Sequence, residues 1–303
     1  MIVENQQKED MIVYQVEIED DGSSIKELLR KKLNTSSRLL SKLKRDESIL
    51  VNDEYKKYHE LVKEGDIIKI IMEEEPSGFK GEDLPFNIVY EDVDLIIVNK
   101  DTGIVTHPTK SHPEGTVANA AQHYLNKNGI YCKIRFVNRL DMDTSGLLMI
   151  AKNPYAHHVL SEQMQRDQVE KKYIAFVEGI IEKDFGIINA PIHRPTFESI
   201  KRVVDCKGQP SLTKYKVLKR YSKATMIEVQ LITGRTHQIR VHMEDIGHPL
   251  IADSLYGTTS NLIDRQALHA SYLKLSQPRY GKTVEIIGNL PEDLIELQMK
   301  LDS

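Results

Sequence analysis

In the stretch MIEVQLIT, Ile227, Val229 and Leu231 alternate with Glu228 and Gln230, the period of two expected of a strand with one wet face. IVYQVEIE (12–19), SILVND, DIIKIIM, NIVYED, DLIIVNK, KIRFVNR, GLLMIAK, KKYIAFVEG and TKYKVLKRY are further short runs that predict strands. Helical spacing is rarer. GSSIKELLRKKL places Ile25, Leu28, Leu29 and Leu33 at that spacing behind Ser23 or Ser24 as a cap, and a second helix from Ser36 or Ser37 carries Leu39, Leu40 and Leu43. TVANAAQHYL, PYAHHVLSEQM and THQIRVHMEDIG predict three more, the last closing on Gly247. Many strands with a few helices predict an α+β fold built on a large, mostly antiparallel sheet, preceded by a small α/β unit.

EEEPSGFKGEDLP (73–85) joins acids, prolines and glycines without periodicity and breaks the pattern. The boundaries that follow are a first domain over 1–76, a linker over 77–85 and a second domain over 86–303. A length of 303 residues suits two domains. The start has no basic patch followed by an apolar run, and no apolar stretch reaches the ~18 residues of a membrane span, so a cytoplasmic protein without a membrane partner is expected. Cys132 and Cys206 lack CxxC spacing and read as reduced thiols. A net charge of -4 gives no global attraction for a polyanion, so any such partner must be held by local basic patches. One lies between Lys26 and Arg45, where Lys31, Arg38 and Lys42 are among eight cations facing one acid, Glu27.

The chemistry concentrates in VNRLDMDTSG (137–146). If RLD is extended, Arg139 and Asp141 share one side while Leu140 anchors the other. From these residues alone, a turn-capping Asp141 paired with an arginine stands beside a functional one. His237, His242 and His248 are five and six residues apart without an HExxH pattern, so no metal site is expected. Asp141 with Asp143 also admits a glycoside hydrolase, although nothing else suggests sugar recognition.

The whole phrase NRLDMDTSGLLMIAKN resembles the HRLDxxTSGLLxxAK signature of the RluA-type pseudouridine synthases. YEDVDLIIVNKDTGIVTHP, KKYIAFVEG, LITGRTHQIRVHMEDIGHPLIADSLYG and RQALHASYLKLSQP resemble that family's other blocks, in order, over roughly residues 86 to 280. The basic N-terminal unit resembles an S4 RNA-binding domain more loosely. Asn138 stands where histidine is usual, Asp101 where proline is usual, and Gln277 where a histidine often precedes the proline.

The resemblance implies an isomerase that converts uridine to pseudouridine in RNA, with ribosomal RNA the first expectation and transfer RNA the second. It implies no cofactor. Asp141 matches the family's catalytic aspartate, and Tyr173 the tyrosine that stacks on the flipped base. Arg235 matches the first arginine of GRTHQIR and is the expected counter-ion of Asp141, while Arg240 reads as a surface residue paired with Glu244 one turn away. Arg139 resembles the arginine that fills the space left by the flipped base, and Lys172 is a candidate phosphate contact. A non-catalytic RNA-binding factor that keeps the scaffold is the alternative, and a monomer is the expected state.

Overall fold

In the computed structural model, which describes residues 1–73 and 77–303, the chain forms two main sheets, each with its own core, and one two-stranded hairpin. Glu74, Glu75 and Pro76, at the expected domain boundary, lie outside the described residues. In the first unit, β1 (Met11–Gln15), β2 (Ile49–Val51), β3 (Glu54–Tyr55) and β4 (Ile67–Ile71) form an antiparallel sheet in the order β1-β4-β2-β3. Helices α1 (Ile25–Lys31) and α2 (Ser37–Arg45) cover it, with Ile25, Leu28, Leu29, Leu39, Leu40 and Leu43 in the core. Their caps are Ser24, which forms a capping box with Glu27, and Ser36.

The second sheet has ten strands. Its main path runs β10 (Phe185–Asn189), β13 (Leu212–Arg220), β14 (Ala224–Leu231), β9 (Glu170–Glu178), β15 (Leu268–Ser276), β8 (Ser145–Ala151), β6 (Leu95–Lys100) and β5 (Ile88–Glu91), with β7 (Arg135–Phe136) and β16 (Thr283–Ile287) at its sides. A short hairpin of β11 (Ile192–His193) and β12 (Val203–Val204) stands apart from it. Helices α3 (Val117–Lys127), α4 (Pro154–Gln165), α5 (Gln238–Asp245) and α6 (Glu292–Asp302) pack on the sheet. All pairings are antiparallel except β8 with β15. The KIRFVNR run yields only the two residues of β7, because Asn138 onward bends into the loop that carries Asp141.

The parallel pair explains one glycine. Gly146 pairs with Ala270 at φ 115°, and a Cβ there would stand 2.3 Å from the Ala270 carbonyl oxygen, so only glycine fits. Beside it the Ser145 hydroxyl meets Nδ1 of fully buried His269, and Arg265 donates to the same hydroxyl. Arg265 is itself held by both oxygens of Asp293 on α6.

The two units are docked. Arg279 forms a fully buried ion pair with Asp94 and donates to the carbonyls of Lys8 and Met11 in the first unit. Tyr155 of α4 packs into the first unit's core. Gln277, the departure from the usual histidine, donates to Asp92 and Asp94 and accepts from the backbone of Arg279 and Tyr280. No regular element forms over 77–85, but the segment lies against α3: Asn119 donates to the Lys80 carbonyl, and Glu82 N–H donates to that of Asn119. Among the described residues, no helix is long and apolar enough to cross a membrane.

Burial pushes the His269 imidazole down to about 4, from an ordinary value of 6.5. The folded state therefore prefers the neutral ring, so this contribution is intact above pH 6.5 and is lost as pH falls through about 4. Urea denaturation should show the parent losing on the order of 3 kcal/mol more than His269→Asn between those limits. Equal losses would contradict the assignment.

Candidate active site

The segment from Asn138 to Ser145 has little regular structure, yet its backbone is closely held. Asn138 Oδ1 accepts from Met149 N–H and its amide donates to the Leu147 carbonyl, both on β8, so this departure from the signature is itself a brace. The four carbonyls of residues 140–143 all have donors. Thr106 donates to Leu140, Thr144 N–H to Asp141, buried Lys100 to Met142 at 2.8 Å, and Arg265 to Asp143. Leu140 is buried in the main core. Burial pushes the Lys100 ammonium down to about 8, opposed by the nearby Asp143 and Asp141 carboxylates.

This frame presents the Asp141 side chain, 22% exposed, to α5. Arg240 Nη1 donates to Asp141 Oδ2 at 3.1 Å, while Arg240 Nε and Nη2 each donate to Asp253 at 2.7 Å. Asp253 is fully buried and also accepts from Leu255 and Tyr256 N–H. Burial opposes the charge on Arg240, but Asp253 and Asp141 outweigh it and hold its pKa above the ordinary value. Among the described residues, Asp141 Oδ1 accepts no hydrogen bond.

His237 lies on the same face. It precedes α5 in a left-handed conformation, φ 58°, which turns its ring so that Nε2 stands 3.7 Å from Asp141 Oδ2. Its Nδ1 meets the Tyr256 hydroxyl at 2.9 Å, and that hydroxyl accepts from Arg202 N–H. Burial lowers the His237 pKa below 6.5; Asp141 opposes the shift, while Arg240 and Arg202 add to it. Tyr173 projects from β9 on the core side. Its phenol is pushed up by burial, with the Asp141 charge adding to the effect, so it stays neutral.

Two expected placements are corrected. Arg235 does not reach Asp141: helix α5 begins only at Gln238, and exposed Arg235 donates instead to the Pro210 carbonyl at 3.3 Å. The counter-ion is Arg240, and Glu244, its expected surface partner, pairs with Lys201. Lys172 also faces away, because neighbours on a strand point to opposite sides; with Tyr173 directed at the core, Lys172 lies beside Glu170 and Glu228 at 3.3 and 3.6 Å. Those carboxylates oppose a role in binding phosphate.

Arg139 is exposed and makes no ion pair among the described residues, with nearby Asp143 or any other acid. Lys31 and Arg38 are exposed on the first unit, and Lys42 is half-buried with its ammonium on the Glu73 carbonyl. His242 bonds Thr213 and the Ala190 carbonyl, and His248 the Glu178 carbonyl. Among the described residues no cluster suits a metal ion. Sequence reasoning missed Arg240, His237, Asp253 and Tyr256 as a group. The available signal was spacing alone: His237 and Arg240, like Asp253 and Tyr256, are three residues apart, although neither pair lies within a helix.

Comparison with known proteins agrees with this architecture. The family profile described as RNA pseudouridylate synthase matches residues 94–245, and the RluD ribosomal pseudouridine synthase N-terminal domain matches 13–68. The chain is 37% identical to the uncharacterized RNA pseudouridine synthase YhcT of Bacillus subtilis, over 91% of this chain and 93% of that protein. It is 37% identical to the ribosomal large subunit pseudouridine synthase D of Escherichia coli strain K12, over 83% of this chain and 82% of that protein. Among solved structures it is similar to human RNA pseudouridylate synthase domain containing 1, with TM-score 0.57 and 27% identity over 70% of this chain and 85% of that one.

The site's electrostatics predict that His237 titrates below 6.5, and that Arg240→Leu, by removing a neighbouring positive charge, raises its midpoint. Ring ¹⁵N chemical shifts followed against pH measure both. A midpoint at or above 6.5 in the parent would contradict the placement.

Proposed function

The chain belongs to the RNA pseudouridylate synthase family, and from that premise we propose that Asp141 is the carboxylate that acts on a uridine drawn out of its RNA stack to the site beside Tyr173. The observation that carries this reading is the asymmetric engagement of Asp141: Arg240 takes Oδ2, and Oδ1 has no partner among the described residues. In pseudouridine formation the N1–C1′ bond breaks, the base rotates, a C5–C1′ bond forms, and the proton lost from C5 is balanced by one gained at N1. Substrate and product have the same atoms and oxidation level, so the scheme needs no redox cofactor and no energy source.

Arg240 sets a fixed positive charge against one oxygen of the carboxylate. Tyr173, buried at the edge of the core with its hydroxyl neutral, is the proposed stacking partner of the extruded uracil. Exposed Arg139, on the same loop as Asp141, is suited to fill the stack the uridine vacates. Lys31 and Arg38 of the first unit supply backbone contacts and a salt-sensitive share of affinity. Ribosomal RNA is the proposed substrate class, supported by the name of the Escherichia coli relative. These site residues all come from one chain, which supports a monomer, and a ribosomal RNA substrate supports a cytoplasmic location.

The test is isomerisation on total RNA from cells lacking the gene. The parent protein should restore missing pseudouridines and Asp141→Asn none. Arg240→Leu should lower the single-turnover rate by about 10²–10³, as for loss of a preorganised charge contact, while Arg235→Ala stays within a few-fold of the parent. Turnover by Asp141→Asn, or a greater loss in Arg235→Ala than in Arg240→Leu, would overturn the reading.

A further inference from the structure

Strand β10 ends the main path of the large sheet and has a neighbour on one side only, β13. Just beyond each end of β10 an even-numbered residue holds a ladder bond: Val217 N–H donates to the Asp184 carbonyl at 2.7 Å, and Ala190 N–H to that of Ser211 at 3.2 Å. The register between them is unbroken, and along an antiparallel pair bonded and unbonded residues alternate. Phe185, Ile187 and Asn189 therefore turn their N–H and C=O groups outward, where no described residue meets them.

Edge strands are normally protected against pairing through such a free row. The edge of β1 is covered by the first residues of the chain, with Val3 N–H on the Val13 carbonyl and Gln15 N–H on that of Met1. Strand β3 has two residues and begins with Glu54, β5 is bulged against β6 and ends in Glu91, and β16 carries Glu285 at its centre. Strand β10, FGIIN, has no charge, proline or bulge. Its outer face is apolar as well, with Phe185 77% and Ile187 66% exposed. On the inner face Ile188 belongs to the core, and the Tyr215 ring lies across Gly186, where a Cβ would stand 2.4 Å from it. In composition and packing β10 is an interior strand that lacks its second neighbour.

The same edge selects the charge of what fits it. Lys216 and Lys214 stand opposite Phe185 and Ile187 on β13, are exposed, and make no ion pair among the described residues. RNA phosphates would answer the lysines, but phosphate oxygens only accept hydrogen bonds and would leave the outward carbonyls without donors. A second copy paired about Ile187 would gather the lysines of both chains on one face. We propose that β10 accepts an extended segment of another protein as an added antiparallel strand, with acidic side chains toward Lys214 and Lys216 and apolar ones toward Ile188 and Tyr215. The acids would stand two strand spacings from β13, about 10 Å, which two flexible side chains together span. Strands β13 and β14 separate this edge from β9, which carries Tyr173, so the edge and the uridine site can be filled together.

The probe is a fluorescein-labelled Val-Glu-Val-Glu-Val-Glu-Val amide, N-methylated at its valines so that one edge alone can pair. In the antiparallel arrangement its glutamates lie opposite Phe185, Ile187 and Asn189 and direct their N–H groups at them. Added to the full chain, it should gain anisotropy saturably and slow amide exchange at those three residues. Moving the N-methyl groups to the glutamates should abolish binding, and lysine in place of glutamate should weaken it about fivefold. Ile187→Pro removes an outward donor without touching the bonds to β13 and should abolish binding with the circular dichroism spectrum unchanged. Phe185→Glu, a surface change that keeps the fold in any case, should weaken binding about tenfold and leave pseudouridine formation on RNA at the parent rate. Absence of saturable binding, equal binding of the two N-methylated peptides, or an affinity unchanged in Phe185→Glu would overturn the proposal. Slowed exchange at the same amides on adding RNA alone would assign the edge to RNA, and self-association in sedimentation that Phe185→Glu abolishes would assign it to a second copy; each would also overturn it.

Discussion

A guanidinium shared between two carboxylates is the constraint on which the site depends. Arg240 is buried, and a buried cation is unfavourable by several kcal/mol unless its geometry and hydrogen bonding are both nearly complete. Asp253 supplies that completion, with two 2.7 Å contacts on one edge of the guanidinium plane. The plane is thereby fixed, and its remaining Nη1 can point only at Asp141. Asp253 is held in turn by backbone N–H groups from the segment that follows it. The direction of the Asp141 side chain is thus inherited from groups that need not touch a substrate.

The same logic extends to the loop that carries Asp141. Donors from Thr106, Thr144, Lys100 and Arg265 engage four successive carbonyls, and Asn138 ties the loop to β8. A loop without regular structure is thus held nearly as firmly as a strand, which limits reorganisation during reaction. The closing RQALHA block contributes through Arg265 and His269, both joined to the Ser145 hydroxyl. Its resemblance to a signature comes from residues that hold the loop in place.

Much of this was legible in the chain, for identifiable reasons. The alternation in MIEVQLIT and the apolar run in GLLMIAK gave β14 and β8, and the spacing of Leu28, Leu29, Leu39 and Leu40 gave the helices of the first unit. The position of Asp141 followed from its signature. Arg235 and Arg240 could not be told apart from the pattern, because which one faces Asp141 depends on where α5 begins. That start is set by the left-handed turn at His237 and by Gln238, which accepts from Arg235 N–H and donates to the Leu212 carbonyl. For Lys172, Glu170 is a near neighbour on the same strand, but Glu228 is brought beside it only by the register of β14 with β9, so its enclosure by two carboxylates was not legible in the chain. The hairpin at 192–204 carries no periodicity and so gave no signal.

The central claim is that Asp253 acts on the reaction through Arg240 without meeting the RNA. The direct measurement is the single-turnover rate of pseudouridine formation by Asp253→Asn, with RNA affinity and the folded state monitored alongside. The account predicts a rate lowered by at least about tenfold at unchanged RNA affinity in folded protein, since the guanidinium loses one fixed charge and with it its orientation. A rate equal to the parent's would contradict it.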